Sequence, residues 1–254
     1  LFFCLKLDGM KKEKIGCFIL ITTAVLSIAA LFFISPIEQD TAYHHFCDSK
    51  TIFTIPNFWN VVSNLPFLIV GFIGLLKASK FPKPKIQYIL FFTGISLVSF
   101  GSGYYHWNPN NETLVWDRLP MTIAFMSLFS IIISEFIDKK KGFKILIPAL
   151  IIGLFSVIYW QVFNDLRIYA LVQFYPMLAI PVILILFTSK YNLSIGYWVL
   201  SGAYLFAKVF EHFDHEISTL LNGVSGHPLK HIVAAIGIFF MLYTYTKRQK
   251  IESL

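Results

Sequence analysis

Gly101-Ser102-Gly103-Tyr104-Tyr105-His106 closes a long apolar run of this 254-residue chain, and Asp117 stands eleven residues beyond the histidine. On a helix Ser102 and His106 lie on one face, one turn apart. Near the C-terminus His227 and His231 repeat that i, i+4 spacing at the mouth of another apolar run. Three histidines on two helices suffice to hold a zinc ion and leave one position open. That requires all of them, with the carboxylate, to reach the same side of a membrane.

The composition settles the class of protein. Hydrophobic residues make up 56% of the chain and charged residues 14%, against roughly 25% charged in a soluble domain. The expected fold is an all-α polytopic membrane bundle. The net charge of +7 does not point to nucleic acid, because the lysines cluster in short stretches between apolar runs, as in cytoplasmic loops. Cys4, Cys17 and Cys47 are too few and too scattered for a disulfide framework or a cysteine metal site.

Outward from the opening stretch, eight apolar runs appear, at about 15–34, 58–77, 85–106, 119–137, 143–161, 168–188, 194–212 and 228–246. Roughly 20 residues cross a bilayer as a helix. Breakers such as Pro82, Pro84, Pro109, Gly142 and Gly226 separate the runs. The run 194–212 is the most polar, with Lys208, Glu211 and His212 crowding its end. The first run follows Lys11, Lys12 and Lys14 and has no clear cleavage site, which predicts a retained signal-anchor helix. Met10 just before those lysines reads as a translation start.

Loop charge then orients the bundle. The N-terminal lead and alternate loops carry sixteen lysines and arginines, whereas the opposite side carries only Lys50, Arg118 and Arg167. Eight spans with both termini in the cytoplasm satisfy the positive-inside rule. All seven histidines then fall at the non-cytoplasmic ends, and Ser102, His106, Asp117, His227 and His231 share one leaflet.

Neutral imidazoles suit Zn²⁺, and ionisable groups at membrane depth mark function by default. With His106, His227 and His231 as ligands, Asp117 can take a proton from an attacking water and Ser102 can hydrogen-bond a developing oxyanion. The implied chemistry is metal-assisted hydrolysis of an amide or ester in a lipid. Each residue also has a structural reading. The histidines can bond backbone or headgroups, Ser102 between glycines can permit close helix packing, and Asp117 can cap a helix starting near Leu119-Pro120. In a second cluster, Lys208 and Glu211 are expected to pair at i, i+3, with Glu211 and Asp214 at most supporting the site. Glu38, Asp40 and Asp48 offer oxygens to Ca²⁺, and also read as solvated loop acids.

Three stretches together resemble the alkaline ceramidase family, within the group of seven-helix membrane hydrolases that includes the adiponectin receptors. They are Asn57-Phe58-Trp59-Asn60 running on to Ser63-Asn64-Leu65-Pro66, then Gly101-Ser102 with His106 and Asp117-Arg118-Leu119-Pro120-Met121, and last Gly226-His227-Pro228-Leu229-Lys230-His231. The resemblance covers about residues 45–246. It implies zinc on His106, His227 and His231, Ser102 and Asp117 as the remaining active-site pair, and hydrolysis of ceramide to a sphingoid base and a fatty acid. It divides the chain into a basic lead with an anchor helix (1–35) and a seven-helix domain (36–254), the extra helix matching bacterial-type relatives and hence an inner membrane. The calcium loop of the animal enzymes is matched only by Cys47-Asp48, with Asn57 where its last glutamate would stand. A receptor-like lipid binder with a structural zinc is the alternative. A metal transporter is disfavoured, since the ionisable groups cluster at one end. The expected partner is a membrane lipid, not nucleic acid.

Overall fold

The computed structural model describes the backbone of residues 2–221 and 224–251, and side chains from residue 11 onward, so Cys4 and Lys6 lie outside the described side chains. Among the described residues there is no strand beyond two isolated bridges. The helices are α1 (Phe2–Phe33), α2 (Phe58–Val62), α3 (Leu65–Leu76), α4 (Ile86–Trp107), α5 (Asn111–Ile132), α6 (Lys139–Phe163), α7 (Arg167–Leu186), α8 (Ile195–His212), α9 (Asp214–Leu220) and α10 (Gly226–Lys247). Among the described residues, seven segments are long and apolar enough to cross a membrane: α1 from Lys11, α2 with α3, α4, α5 with its π-helical end to Ile137, α6, α7 and α10. The chain is an all-α membrane bundle, as the apolar runs predict.

The eighth expected span, α8, does not reach that apolarity. It belongs to the bundle all the same, packed along α10. A Cβ on Gly237 of α10 would lie 2.5 Å from the Ala203 methyl of α8, so the bare glycine sets how closely the two helices approach.

Three boundaries differ from the apolar runs, each for a local reason. The run 58–77 breaks at Ser63-Asn64 into α2 and α3, the latter with Pro66 in its first turn, where a missing N–H costs nothing. Asn57, at φ 47°, begins α2 in the left-handed region that asparagine tolerates. Next, α5 starts at Asn111, eight residues before the apolar stretch. The Asn110 side chain accepts from the Thr113 N–H at 2.9 Å, and Thr113 Oγ1 accepts from the Asn110 N–H at 3.2 Å, a closed capping box. Asp117 is therefore inside the helix and caps nothing. Finally, α6 begins at Lys139, capped by Asp138, whose carboxyl the Lys141 N–H holds below the usual range.

The middle of the bundle is a continuous core of aromatic and branched side chains, including Phe67, Phe91, Phe92, Ile131, Ile183 and Met241. Polar networks pin both ends. At one end Glu135 and Arg248, 2% and 3% exposed, form a two-pronged pair with contacts of 2.5 and 2.6 Å. The Tyr88 hydroxyl donates to the same carboxylate, as does Tyr197 at 2.7 Å, so α4, α5, α8 and the segment after α10 meet on one carboxylate. At the other end Arg118 lies over the rings of Trp160 (4.1 Å) and Tyr169 (4.7 Å) and donates to Gln39 at 2.6 Å. Arg167 clasps Asp165 there and holds its carboxyl below the ordinary range.

Candidate active site

The three histidines meet at the Arg118 end. His106 is in the last turn of α4, while His227 and His231 open α10, one turn apart and facing the same way. All three are buried, and one ligand atom from each falls within 4.8 Å of the others. The ring nitrogens Nε2 of His106 and His227 are 3.2 Å apart. Two nitrogens bonded to one tetrahedral zinc at 2.0–2.1 Å would stand roughly 3.3 Å apart, so the donor set fits such an ion in spacing and in chemistry. His106 Nδ1 is buried without a hydrogen-bond partner. Among the described residues no other group of three potential ligands comes together in this way.

Local structure holds each ring. Asp214, starting α9, accepts the His227 backbone N–H at 2.7 Å and the Cys47 N–H at 3.1 Å, tying the loop between α1 and α2 to the start of α10. The loop sets Phe46 against both rings, with centroids 4.8 Å from His106 and 4.4 Å from His227. Asn57 donates from Nδ2 to the His106 carbonyl at 2.8 Å, and Ser63 Oγ is 2.7 Å from His231 Nδ1. Neither Phe46 nor Ser63 is visible as a site residue in the sequence. The Ser63-Asn64-Leu65-Pro66 motif marks the place without stating its use.

Ser102 and Asp117 come from α4 and α5, which approach closely beside them. A Cβ on Gly101 would lie 1.9 Å from the Trp116 carbonyl oxygen, while one on Gly103 would touch nothing. The close-packing reading of the Gly-Ser-Gly stretch therefore holds for its first glycine alone. Ser102 is buried, one turn before His106 on α4. Ser102 and Asp117 both line a cavity of about 520 Å³, together with His231, Lys230, Glu211 and Lys208 at its polar end. From there it runs between α4, α5, α7, α8 and α10 past Phe91, Leu128, Ile180 and Ile238.

The second polar cluster divides. Lys208 pairs with Glu211 at 2.5 Å, as the i, i+3 spacing predicts, and Lys230 joins the same carboxylate at 2.7 Å. His212 and His215 are exposed, and His215 Nδ1 is 3.3 Å from Cys47 Sγ. Burial and then the Asp214 carboxylate push the Cys47 thiol up to about 11. Of the three loop acids, Asp48 is buried with its oxygens accepting from the backbone N–H groups of Lys50 and Asn60, and Asp40 caps a short 3₁₀ turn. His44 bridges the Tyr105 hydroxyl and Asn111 Oδ1, both at 2.9 Å.

A helical membrane bundle, with a buried three-histidine cluster above an apolar cavity and a serine–aspartate pair beside it, belongs to the class of polytopic membrane hydrolases. The ceramidase family profile matches residues 38–251, and the chain belongs to the ceramidase family, a family of membrane hydrolases acting on amide bonds of lipids. No curated protein matches it.

Proposed function

We propose that the protein hydrolyses the amide of ceramide-like N-acyl lipids to a long-chain base and a fatty acid, with zinc held by His106, His227 and His231. The observation that carries this reading is the buried histidine cluster, whose His231 lines the polar end of an apolar cavity together with Ser102 and Asp117. Zinc bound there supplies Lewis-acid activation of water and of the amide carbonyl. The chain's own residues do the rest. Asp117 accepts the proton of the attacking water and returns it to the leaving nitrogen as the C–N bond breaks. Ser102, on the same cavity wall as Asp117, turns its hydroxyl toward the developing oxyanion. The cavity takes an alkyl chain and keeps bulk water from the reacting centre. By loop charge, the site faces the outer leaflet of a bacterial inner membrane and both termini are cytoplasmic. The Glu38–Asp48 loop is engaged in capping and backbone contacts, and calcium has no part in this reading.

The test is metal content together with turnover. Purified wild-type protein should carry one zinc and release fatty acid from ceramide, and His227→Ala and His231→Ala should lose both. A metal-free protein that still turns over would refute the zinc assignment. Lipid binding without turnover of any N-acyl lipid would favour the receptor-like alternative.

A further inference from the structure

The sequence motif Asn57-Phe58-Trp59-Asn60…Ser63-Asn64-Leu65-Pro66 has no role in the reaction as described, yet it lies against two of the three histidines. Ser63 caps the C-terminus of α2, is 8% exposed, and has a single hydroxyl proton. Its Oγ is 3.2 Å from the Asn60 carbonyl oxygen, which can only accept, and 2.7 Å from His231 Nδ1. If the one proton goes to the carbonyl, the contact with the ring requires His231 to donate from Nδ1. The lone pair then sits on Nε2, the nitrogen left free for the cluster. The backward bond from a serine to the carbonyl three residues earlier is a common local contact in helices, and Asn64 Nδ2 donates to the same carbonyl at 2.8 Å, fixing its direction.

We propose that Ser63 is a positioning residue for the metal centre: it locks His231 as the Nδ1–H tautomer and aims Nε2 at the position shared with His106 and His227. The inference rests on the metal assignment above. The break between α2 and α3 serves it, because it ends α2 where Ser63 meets His231. Asn57, one turn and a half earlier, fixes the backbone of His106 from the same short helix. Partners of this kind, beyond the ligands themselves, typically change metal affinity by about 10–100-fold.

The experiment has two readouts that do not depend on turnover. The first is zinc affinity by chelator competition on purified wild type, Ser63→Ala and Ser63→Thr. A 10–100-fold weaker affinity in Ser63→Ala, with the hydroxyl-bearing Ser63→Thr closer to wild type, is the expected result. Affinity in a folded Ser63→Ala within twofold of wild type would overturn the proposal while leaving the zinc assignment intact. Wild type that binds no zinc would overturn both. The second needs only wild type: nitrogen-15 spectra of metal-free, histidine-labelled protein at alkaline pH, with the His231 signals assigned by their loss in His231→Ala. Protonation at Nδ1 is expected, and protonation at Nε2 would overturn the assignment even if Ser63→Ala failed to fold.

Discussion

Replacing Gly101 by alanine tests whether the approach of α4 to α5 sets the geometry of the Ser102–Asp117 pair. The added Cβ would lie 1.9 Å from the Trp116 carbonyl oxygen and 2.8 Å from its carbonyl carbon. Real contacts of this kind essentially never fall below 3.0 Å, so the helices must separate by about 1.1 Å. The obstacle is backbone, and no rotamer change relieves it. Trp116 immediately precedes Asp117 and Gly101 immediately precedes Ser102, so the displacement falls on the pair itself. A misplacement of about 1 Å at a reacting centre costs on the order of 10²-fold in rate, or about 2.7 kcal/mol of transition-state stabilisation. Gly103→Ala is the control, since its Cβ meets nothing within 4 Å. Both substitutions gain the same intrinsic helix preference, about 1 kcal/mol, and the difference between them isolates the contact. The assay is kcat/KM for fatty-acid release from a short-chain ceramide in detergent, with folding checked by circular dichroism. A folded Gly101→Ala protein with kcat/KM within twofold of Gly103→Ala would refute the reasoning.

At the far end of the bundle, Glu135→Ala strands a buried Arg248 guanidinium and should cost about 3–5 kcal/mol of stability, read as a lower denaturant midpoint in detergent; a loss under 1 kcal/mol would show that the pair is not the fastening it resembles. In a Cys4→Ser, Cys17→Ser background, Cys47 should react slowly with a water-soluble alkylating agent at pH 8. With the thiol pushed up to about 11, roughly one molecule in a thousand is thiolate there. The rate should climb about tenfold per pH unit up to pH 10, and a plateau near pH 9 would contradict the burial beside Asp214.

The sequence carries most of this fold in plain view, because membrane spans are written in local composition. Runs of apolar residues give the helices, and lysine placement gives a consistent pattern of ends. The histidines were legible for a similar reason: two share a helix face, and the third ends a run with its serine one turn before. Polar helix starts were harder to see. Residues 111–118 look like a loop by hydropathy, and only the reciprocal bonds of Asn110 and Thr113 make them the first turns of α5. Pairs distant in sequence were invisible. Glu135 sits inside an apolar run and Arg248 counts only as one more loop cation, yet each is the other's partner. Ser63 stands in a motif that can be quoted, but its contact with His231 spans 168 positions, and no periodicity reports that.

The Glu135–Arg248 pair also imposes an order in time. Its partners are 113 residues apart, and at about 5–20 residues per second of synthesis Glu135 waits roughly 6–23 s for its cation. Tyr88 is already made when that wait begins, and Tyr197 joins it 62 residues after Glu135, about halfway through. The four-way junction closes only when the last helix has been made and its tail has turned back against α5. Because α10 also brings His227 and His231, the chain completes its histidine cluster and its far-end fastening in the same step. A truncation just before Arg248 would keep every histidine and still leave that last step unfinished.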